Sequence, residues 1–246
     1  MPVALILTAA VQPTASGRVD SAAPTVRLAE YRAAISHWLR LSAAGLVSSV
    51  TVAETSGWPI DDLVPARHDA RLDVMSVAIP SPLLARGKGA AEAHALDVVI
   101  GRLADSAAED FTIYKCTGRL WVRNAARVLT PLPARSVRVR ATADLSYCDS
   151  RFYGAGGHAW RTTLKGLADE IDEDRGLILE QVLGQRLRCS APGAGVDVER
   201  FAARPALVGR SGTTGATYDG RMARLRAVGA APLEAVLRRY SRIKQF

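Results

Sequence analysis

The chain has 246 residues, 48% hydrophobic and 23% charged, enough for one large globular domain, and no apolar run approaches the roughly 18–20 residues that span a bilayer. Three scattered cysteines (Cys116, Cys148, Cys189) and four histidines form no CxxC, HxxxH or HExxH pattern, which argues against a disulfide framework and a zinc ribbon. Lys and Arg number 32 against 24 Asp and Glu, a net charge of +8 that fits an anionic partner, although an arginine- and alanine-rich coding bias produces the same excess without function.

The opening segment MPVALILTAAV lacks the basic n-region of a secretory signal, so the expectation is a cytoplasmic protein that begins with a buried strand, VALILTAAV. After a loop from Gln12 to Pro24, Thr25 is placed to cap a helix whose Leu28, Tyr31, Ile35 and Trp38 share one face, and Gly45 is placed to end it. A second strand, Leu46 to Ala53, runs into Glu54, Thr55, Ser56 and Gly57, and a third is expected around Leu72 to Ile79. GKGAAEAHALDVVIGRLADSA then reads as a helix with Leu96, Val99, Ile100 and Leu103 on its apolar stripe, followed by a fourth strand from Phe111 to Lys115. This alternation predicts an α/β fold with a mostly parallel, Rossmann-like sheet flanked by helices.

Beyond Pro133 the pattern changes. SVRVRATA alternates as a strand of a mixed sheet would, and a polar-aromatic stretch follows from Asp144 to Trp160. Trp160, Leu164, Leu167 and Ile171 predict one helix and Leu177 to Leu187 a second. A last strand leads into the glycine-rich GRSGTTG, and the end from Arg221 to Lys244 is a basic helical region. The organisation is a single domain: residues 3–133 as a nucleotide-binding half, 134–220 as an acceptor and closing half, and 221–246 as a basic tail.

Ligands of such sheets bind at the carboxyl ends of the strands, where Thr8, Glu54, Ser56, Lys115, Thr117 and Arg119 all fall. Arg27, early in the first helix, joins them as a donor-side candidate. In GKGAAE, Lys88 and the free N–H groups of a helix start are suited to a phosphate, though a solvated glycine turn has the same appearance, and the segment is not a Walker loop because Ala90 replaces the magnesium-binding hydroxyl. KCTGR places Lys115 and Arg119 around a Thr-Gly turn, a point charge and a planar fork for a diphosphate. DSRFYG offers Asp149 with Arg151 and Tyr153 for gripping a sugar, and LILEQVL presents Glu180; both motifs also suit an edge ion pair and a solvated helix position. Ser211 and Thr213 belong to a loop with glycine hinges of the kind that closes over a ligand.

The succession ETSG, GKGAAE, KCTGRLWVRN and DSRFYG resembles GT-A glycosyltransferases, in particular bacterial surface-polysaccharide or lipopolysaccharide transferase-like proteins, over roughly residues 3–220. The resemblance implies a nucleotide-sugar donor held at the first two strand ends; transfer would go to a hydroxyl of a glycan or lipid-linked acceptor, with Asp149 and Glu180 as base candidates if the reaction inverts. Its Asp-x-Asp motif, which binds metal and diphosphate, is replaced here by Lys115-Cys116-Thr117-Gly118-Arg119, so the expectation is transfer without a cofactor or metal. Binding of Mn²⁺ or Mg²⁺ by Asp144 and Asp149 would change the mechanism but not the class. The competing reading is a basic nucleic-acid-binding or nucleotidyl-handling protein; with 6% aromatic residues and no helix-turn-helix, RNP or zinc pattern, nucleic acid is not the expected partner. The basic tail, with Arg221, Arg224, Arg226, Arg238, Arg239, Arg242 and Lys244, suits peripheral contact with an anionic inner membrane face, or an ordinary solvated helix.

Overall fold

A computed structural model of the chain describes residues 2–13, 23–65, 70–106, 111–190, 195–210 and 217–218, apart from the side chains of 104–106. Ser211, Thr213 and the basic tail from residue 221 lie outside the described residues. The chain runs β1 (Val3–Ala9), α1 (Pro24–Ala43), β2 (Ser49–Glu54), β3 (Leu72–Ser76), α2 (Ser81–Ala85), α3 (Lys88–Ser106), β4 (Thr112–Thr117) and β5 (Leu120–Val122). There follow α4 (Ala125–Val128), β6 (Ser136–Arg138), β7 (Phe152–Gly156), α5 (Gly157–Thr162), α6 (Leu179–Ser190), β8 (Asp197–Glu199) and β9 (Leu207–Gly209).

Seven strands form one sheet in the order β3-β2-β1-β4-β7-β6-β8, while β5 and β9 pair separately. β1 to β4 are mutually parallel, and β7 runs antiparallel to both of its neighbours. The fold is therefore α/β with a mostly parallel, partly mixed sheet flanked by helices. Among the described residues no helix is long and apolar enough to cross a membrane.

Alternation along each strand divides the core into two layers. Leu5 and Leu7 of β1, Val50 and Val52 of β2, and Tyr114 and Cys116 of β4 pack with Tyr31, Ile35 and Trp38 of α1. Ile6, Ala53 and Ile113 face the other way, against Leu96 and Val99 of α3 and Leu183 and Leu187 of α6. Helix α1 starts on Pro24, whose missing N–H costs nothing at that position, so the hydroxyl of Thr25 is not its cap. Its end is the expected one: Gly45 takes φ 77°, Gly45 N donates to Ser42 O at 2.9 Å and Leu46 N to Leu41 O at 3.0 Å, the paired bonds of a Schellman closure.

The second half differs from expectation in two places. In DSRFYG, Phe152 and Tyr153 open β7, every residue of which is buried and which lies inside the sheet, not at its edge, so Tyr153 is not placed to meet a sugar. The glycines of that strand answer to close approach rather than to a turn, because a Cβ on Gly154 would collide with the Tyr114 ring and one on Gly156 with Pro133 O. The helix expected through Ile171 stops at Thr162, and Gly166 in a left-handed conformation (φ 75°) turns the chain into a 3-10 segment at Leu167–Asp169. Trp160, Leu164, Leu167 and Ile171 are nonetheless all buried in the same layer, so the apolar spacing reports a shared face across broken helices.

The glycine geometry makes a paired prediction. Gly156→Ala is expected to cost about 3 kcal/mol or more through overpacking of a central strand. Gly101→Ala in α3, where nothing lies within 4 Å of the new methyl, is expected to stabilise by about 0.5–1 kcal/mol. Urea denaturation of both variants checks this; equal midpoints would contradict the close-approach account.

Candidate functional site

The connection from β1 leads through α1 to β2 on one side, and β4, reached through α3, pairs with β1 on the other. The switch point of the sheet thus lies between β1 and β4, with its crevice at their carboxyl ends. The register sets those ends level, with Thr8 opposite Thr117 and Ala9 opposite Glu54.

On the α3 side of this edge a continuous polar chain forms. Lys115 shares the face of Ile113, and its ammonium, 0% exposed, pairs with Glu92 of α3. The same Nζ donates to Ser150 O at 2.5 Å and to Thr117 Oγ1 at 3.2 Å. Thr8 Oγ1 donates to Glu92 Oε1 at 3.0 Å, and Ser150 Oγ donates to Glu180 Oε1 at 2.6 Å. Thr8, Glu92, Lys115, Thr117, Ser150 and Glu180 are thereby linked across three strand ends and two helices. Strand β4 extends two residues past the expected end at Lys115, which is why this side chain lies beneath the crevice and not at its mouth.

Arg119 is elsewhere. Gly118 passes so close to β1 that a Cβ there would meet Thr8 O at 2.6 Å and the Tyr31 ring at 2.9 Å, and the turn carries Arg119 onto the α1 side, where Nη1 bonds Glu30 Oε2 at 2.6 Å. The two cations of KCTGR therefore do not converge on one diphosphate; they sit on opposite faces of the sheet.

Arg27 is buried next to Arg119 in this second cluster, its Nε and Nη2 donating to Ala10 O at 3.2 and 2.6 Å. Tyr31 Oη accepts from Ala10 N at 2.9 Å, and burial raises the pKa of its hydroxyl despite the nearby Arg27 and Arg119. Arg27 Nη1 and Arg119 Nη2 are buried without a hydrogen-bond partner among the described residues. Glu54, fully buried, accepts from Val11 N at 3.1 Å, Trp58 N at 3.0 Å and Ser56 N at 2.9 Å, and Ser56 Oγ also bonds it. Its carboxylate organises the loops after β1 and β2, leaving Ser56 Oγ, Thr55 and Trp58 along the rim.

The anion expected at GKGAAE has an internal counterpart. Gly89 N donates to Glu173 Oε1 at 2.7 Å, and the Glu173 side chain fills the space beside Gly87, so a carboxylate occupies the start of α3 where a phosphate was anticipated. Lys88 is exposed on the outside of that turn.

Asp149 is enclosed by cations. Arg151 donates Nε to Oδ1 at 2.7 Å and Nη2 to Oδ2 at 2.5 Å, and Arg140 Nη1 reaches Oδ2 at 3.3 Å. Burial works to raise its pKa, but the bonds from Arg151 and the charges of Arg151 and Arg140 outweigh that and lower it, the opposite of what a proton acceptor requires. Arg151 also stacks over Tyr218, 4.7 Å from the ring centroid. Tyr153, expected at an acceptor sugar, instead lies inside the core beside Trp160, its hydroxyl without a hydrogen-bond partner among the described residues and its pKa pushed well up by burial.

Glu92, Ser150 and Glu30 were not singled out from sequence. Glu92 had a signal: it stands on the stripe that continues through Leu96, Val99 and Leu103, where a carboxylate facing a sheet needs a partner. Ser150 and Glu30 had none, since each is defined by a contact across the fold.

No protein-family model matches the chain, and no curated protein matches it.

Proposed function

We propose that this chain is a glycosyltransferase that moves a sugar from a nucleotide-sugar donor to a hydroxyl of a glycan or lipid-linked acceptor, on a GT-A-like version of the α/β fold. The observation that carries the reading is the polar chain from Thr8 through Glu92, Lys115 and Thr117 to Ser150 and Glu180 at the switch point of the sheet.

Its chemistry fits group transfer. The attacking hydroxyl oxygen forms a bond to the anomeric carbon, the bond from that carbon to the diphosphate oxygen breaks, the electron pair leaves with the diphosphate, and the hydroxyl proton passes to Glu180. Charge accumulating on the leaving diphosphate needs fixed positive dipoles. Thr117, half-buried at the strand end, accepts from Lys115 and can turn its own O–H toward a phosphate oxygen, a donor strengthened by the ammonium behind it. On the α1 side Arg27 adds a cation, while Arg119 is already paired with Glu30.

The donor set does not fit the divalent cation that the resemblance implies. The residues at the end of β4 are Lys115 to Arg119, not carboxylates, and Asp149 is taken up by two arginines. Asp144 binds its own loop: Ser146 N donates to its Oδ1 at 3.0 Å and Ser146 Oγ at 2.8 Å, holding its pKa down to about 2.

The test is a thermal-shift screen of nucleoside diphosphates and nucleotide sugars, with and without EDTA. One nucleoside diphosphate is expected to stabilise the protein by about 2.7 kcal/mol at a hundredfold excess over its Kd, with EDTA leaving the shift intact. A shift that appears only with Mn²⁺ or Mg²⁺ overturns the metal-free mechanism, and no shift with any nucleotide overturns the transferase reading. Steep salt-dependent binding of DNA or RNA in its place would favour the nucleic-acid alternative.

A further inference from the structure

The hairpin between β6 and β7 presents one aromatic side chain to solvent from an immobilised backbone. Tyr147 is 45% exposed, the one aromatic among the exposed large hydrophobic residues that are described. Its exposure does not arise from a slack loop. Tyr147 N donates to Thr142 Oγ1 at 3.1 Å, Thr142 N donates to Tyr147 O at 2.9 Å, and Arg200 holds Ala141 O and Thr142 O at 2.5 and 2.8 Å. Leu145, the single non-glycine residue of positive φ among those described (56°), is buried in the core, with its carbonyl pressed against Gly184 of α6. A residue held in that region costs free energy and persists only when its surroundings overdetermine it.

This fixed ring stands beside the end of the polar chain. Cys148, the next residue, donates its backbone N–H to Glu180 O at 3.0 Å, and the Glu180 carboxylate is bonded by Ser150 two residues further on. Arg151, stacked on Tyr218, completes the surroundings with a half-exposed guanidinium. The charges of Glu180 and Arg151 both act on the Tyr147 hydroxyl, so a carboxylate and a guanidinium lie near a flat apolar ring, a set that suits a pyranose, whose C–H face stacks while its hydroxyls bond polar groups. The Tyr147 hydroxyl, like any phenol, is protonated at neutral pH and available as a donor to a sugar oxygen; burial and the charges of Glu180 and Asp149 raise its pKa further.

The geometry points to Tyr147 as the stacking platform of an acceptor subsite that holds a pyranoside ring within reach of Glu180, with Arg151 on its rim. The role of the bound sugar as acceptor rests on the transferase reading. It also moves the sugar contact from Tyr153, which the fold buries, to an aromatic six residues earlier.

Saturation-transfer NMR on the full chain, with methyl α- and β-pyranosides of glucose, galactose and mannose and with uridine as a nucleoside control, tests it. Expected is saturation of the ring protons of at least one pyranoside by wild type, a roughly five- to tenfold weaker affinity in both Tyr147→Ala and Tyr147→Gln, and affinity within about twofold of wild type in Tyr147→Phe, from the usual contribution of one stacked ring. Two substitutions without a ring guard against one that misfolds, and circular dichroism verifies both. No pyranoside saturation, pyranoside affinity indifferent to residue 147, or a Tyr147-dependent signal from uridine alone would each overturn the inference. Tyr147-dependent pyranoside binding together with a failed nucleotide screen would leave the subsite standing and remove the transferase reading, so the two failures are distinguishable.

Discussion

Glu92→Ala is expected to destabilise the protein by about 3–5 kcal/mol, the cost of leaving a buried cation without its counter-ion. Lys115 is 0% exposed and cannot turn to water, whereas Glu92 retains 23% exposure and sits at the open end of the pair. Ser150 O and Thr117 Oγ1 still accept from Nζ in the variant, but neither carries a charge, and Thr8 loses its acceptor as well. At roughly 2–4 °C per kcal/mol for a chain of this size, the melting temperature should fall by about 6–20 °C. Surface pairs such as Arg32–Asp62 and Arg102–Asp73, each partner 45% or more exposed, provide the contrast: breaking either should cost less than about 1 kcal/mol. The double substitution Lys115→Met with Glu92→Leu removes both charges and should recover most of the loss, because the burial cost of the ions disappears with them. Urea denaturation of Lys115→Met, Glu92→Leu and the double gives the coupling directly. A Glu92→Ala midpoint close to wild type would mean that the ammonium escapes to solvent, and the polar chain would lose its centre.

The first half of the fold was legible because its signals are local. The unbroken apolar run of β1, the stripe of α1 and the glycine after it each report a single element, and parallel strands between helices need little more. Thr8, Glu54 and Thr117 do fall at strand ends, whereas Lys115 lies within β4. What sequence did not show is the face each one takes. A strand two residues longer than expected buries Lys115, and one glycine that must pass Thr8 O and the Tyr31 ring sends Arg119 to the opposite layer, so adjacent cations in KCTGR became separate clusters. The second half was harder for a related reason. Gly154 and Gly156 are spaces left for Tyr114 and for the backbone at Pro133, so the strand runs through the interior of the sheet and buries Tyr153, which the sequence alone does not show. Tyr147 went unnoticed because nothing in its neighbours announces exposure; only the pinned hairpin around it does.

Glu180→Gln is expected to lower kcat for transfer by a factor of about 10²–10⁴, the usual contribution of a positioned general base. The structure separates the two carboxylates that sequence left equivalent. Asp149 accepts from Arg151 through both oxygens and is reached by Arg140, and its lowered pKa makes proton capture unfavourable. Glu180, partly exposed at the start of α6, accepts one side-chain hydrogen bond among the described residues, from Ser150 Oγ, which leaves lone pairs for an incoming hydroxyl. Glutamine at 180 keeps the shape and can still accept from Ser150, so the fold should be retained while proton uptake is lost. Asp149→Asn removes the counter-charge of two arginines and should act chiefly on stability, lowering the denaturation midpoint. The pH profile of kcat discriminates further: the acidic limb set by the base should vanish in Glu180→Gln and persist in Asp149→Asn. Transfer by Glu180→Gln at half the wild-type rate or more, with its acidic limb intact, would remove Glu180 from the chemistry and leave it as the residue that positions Ser150.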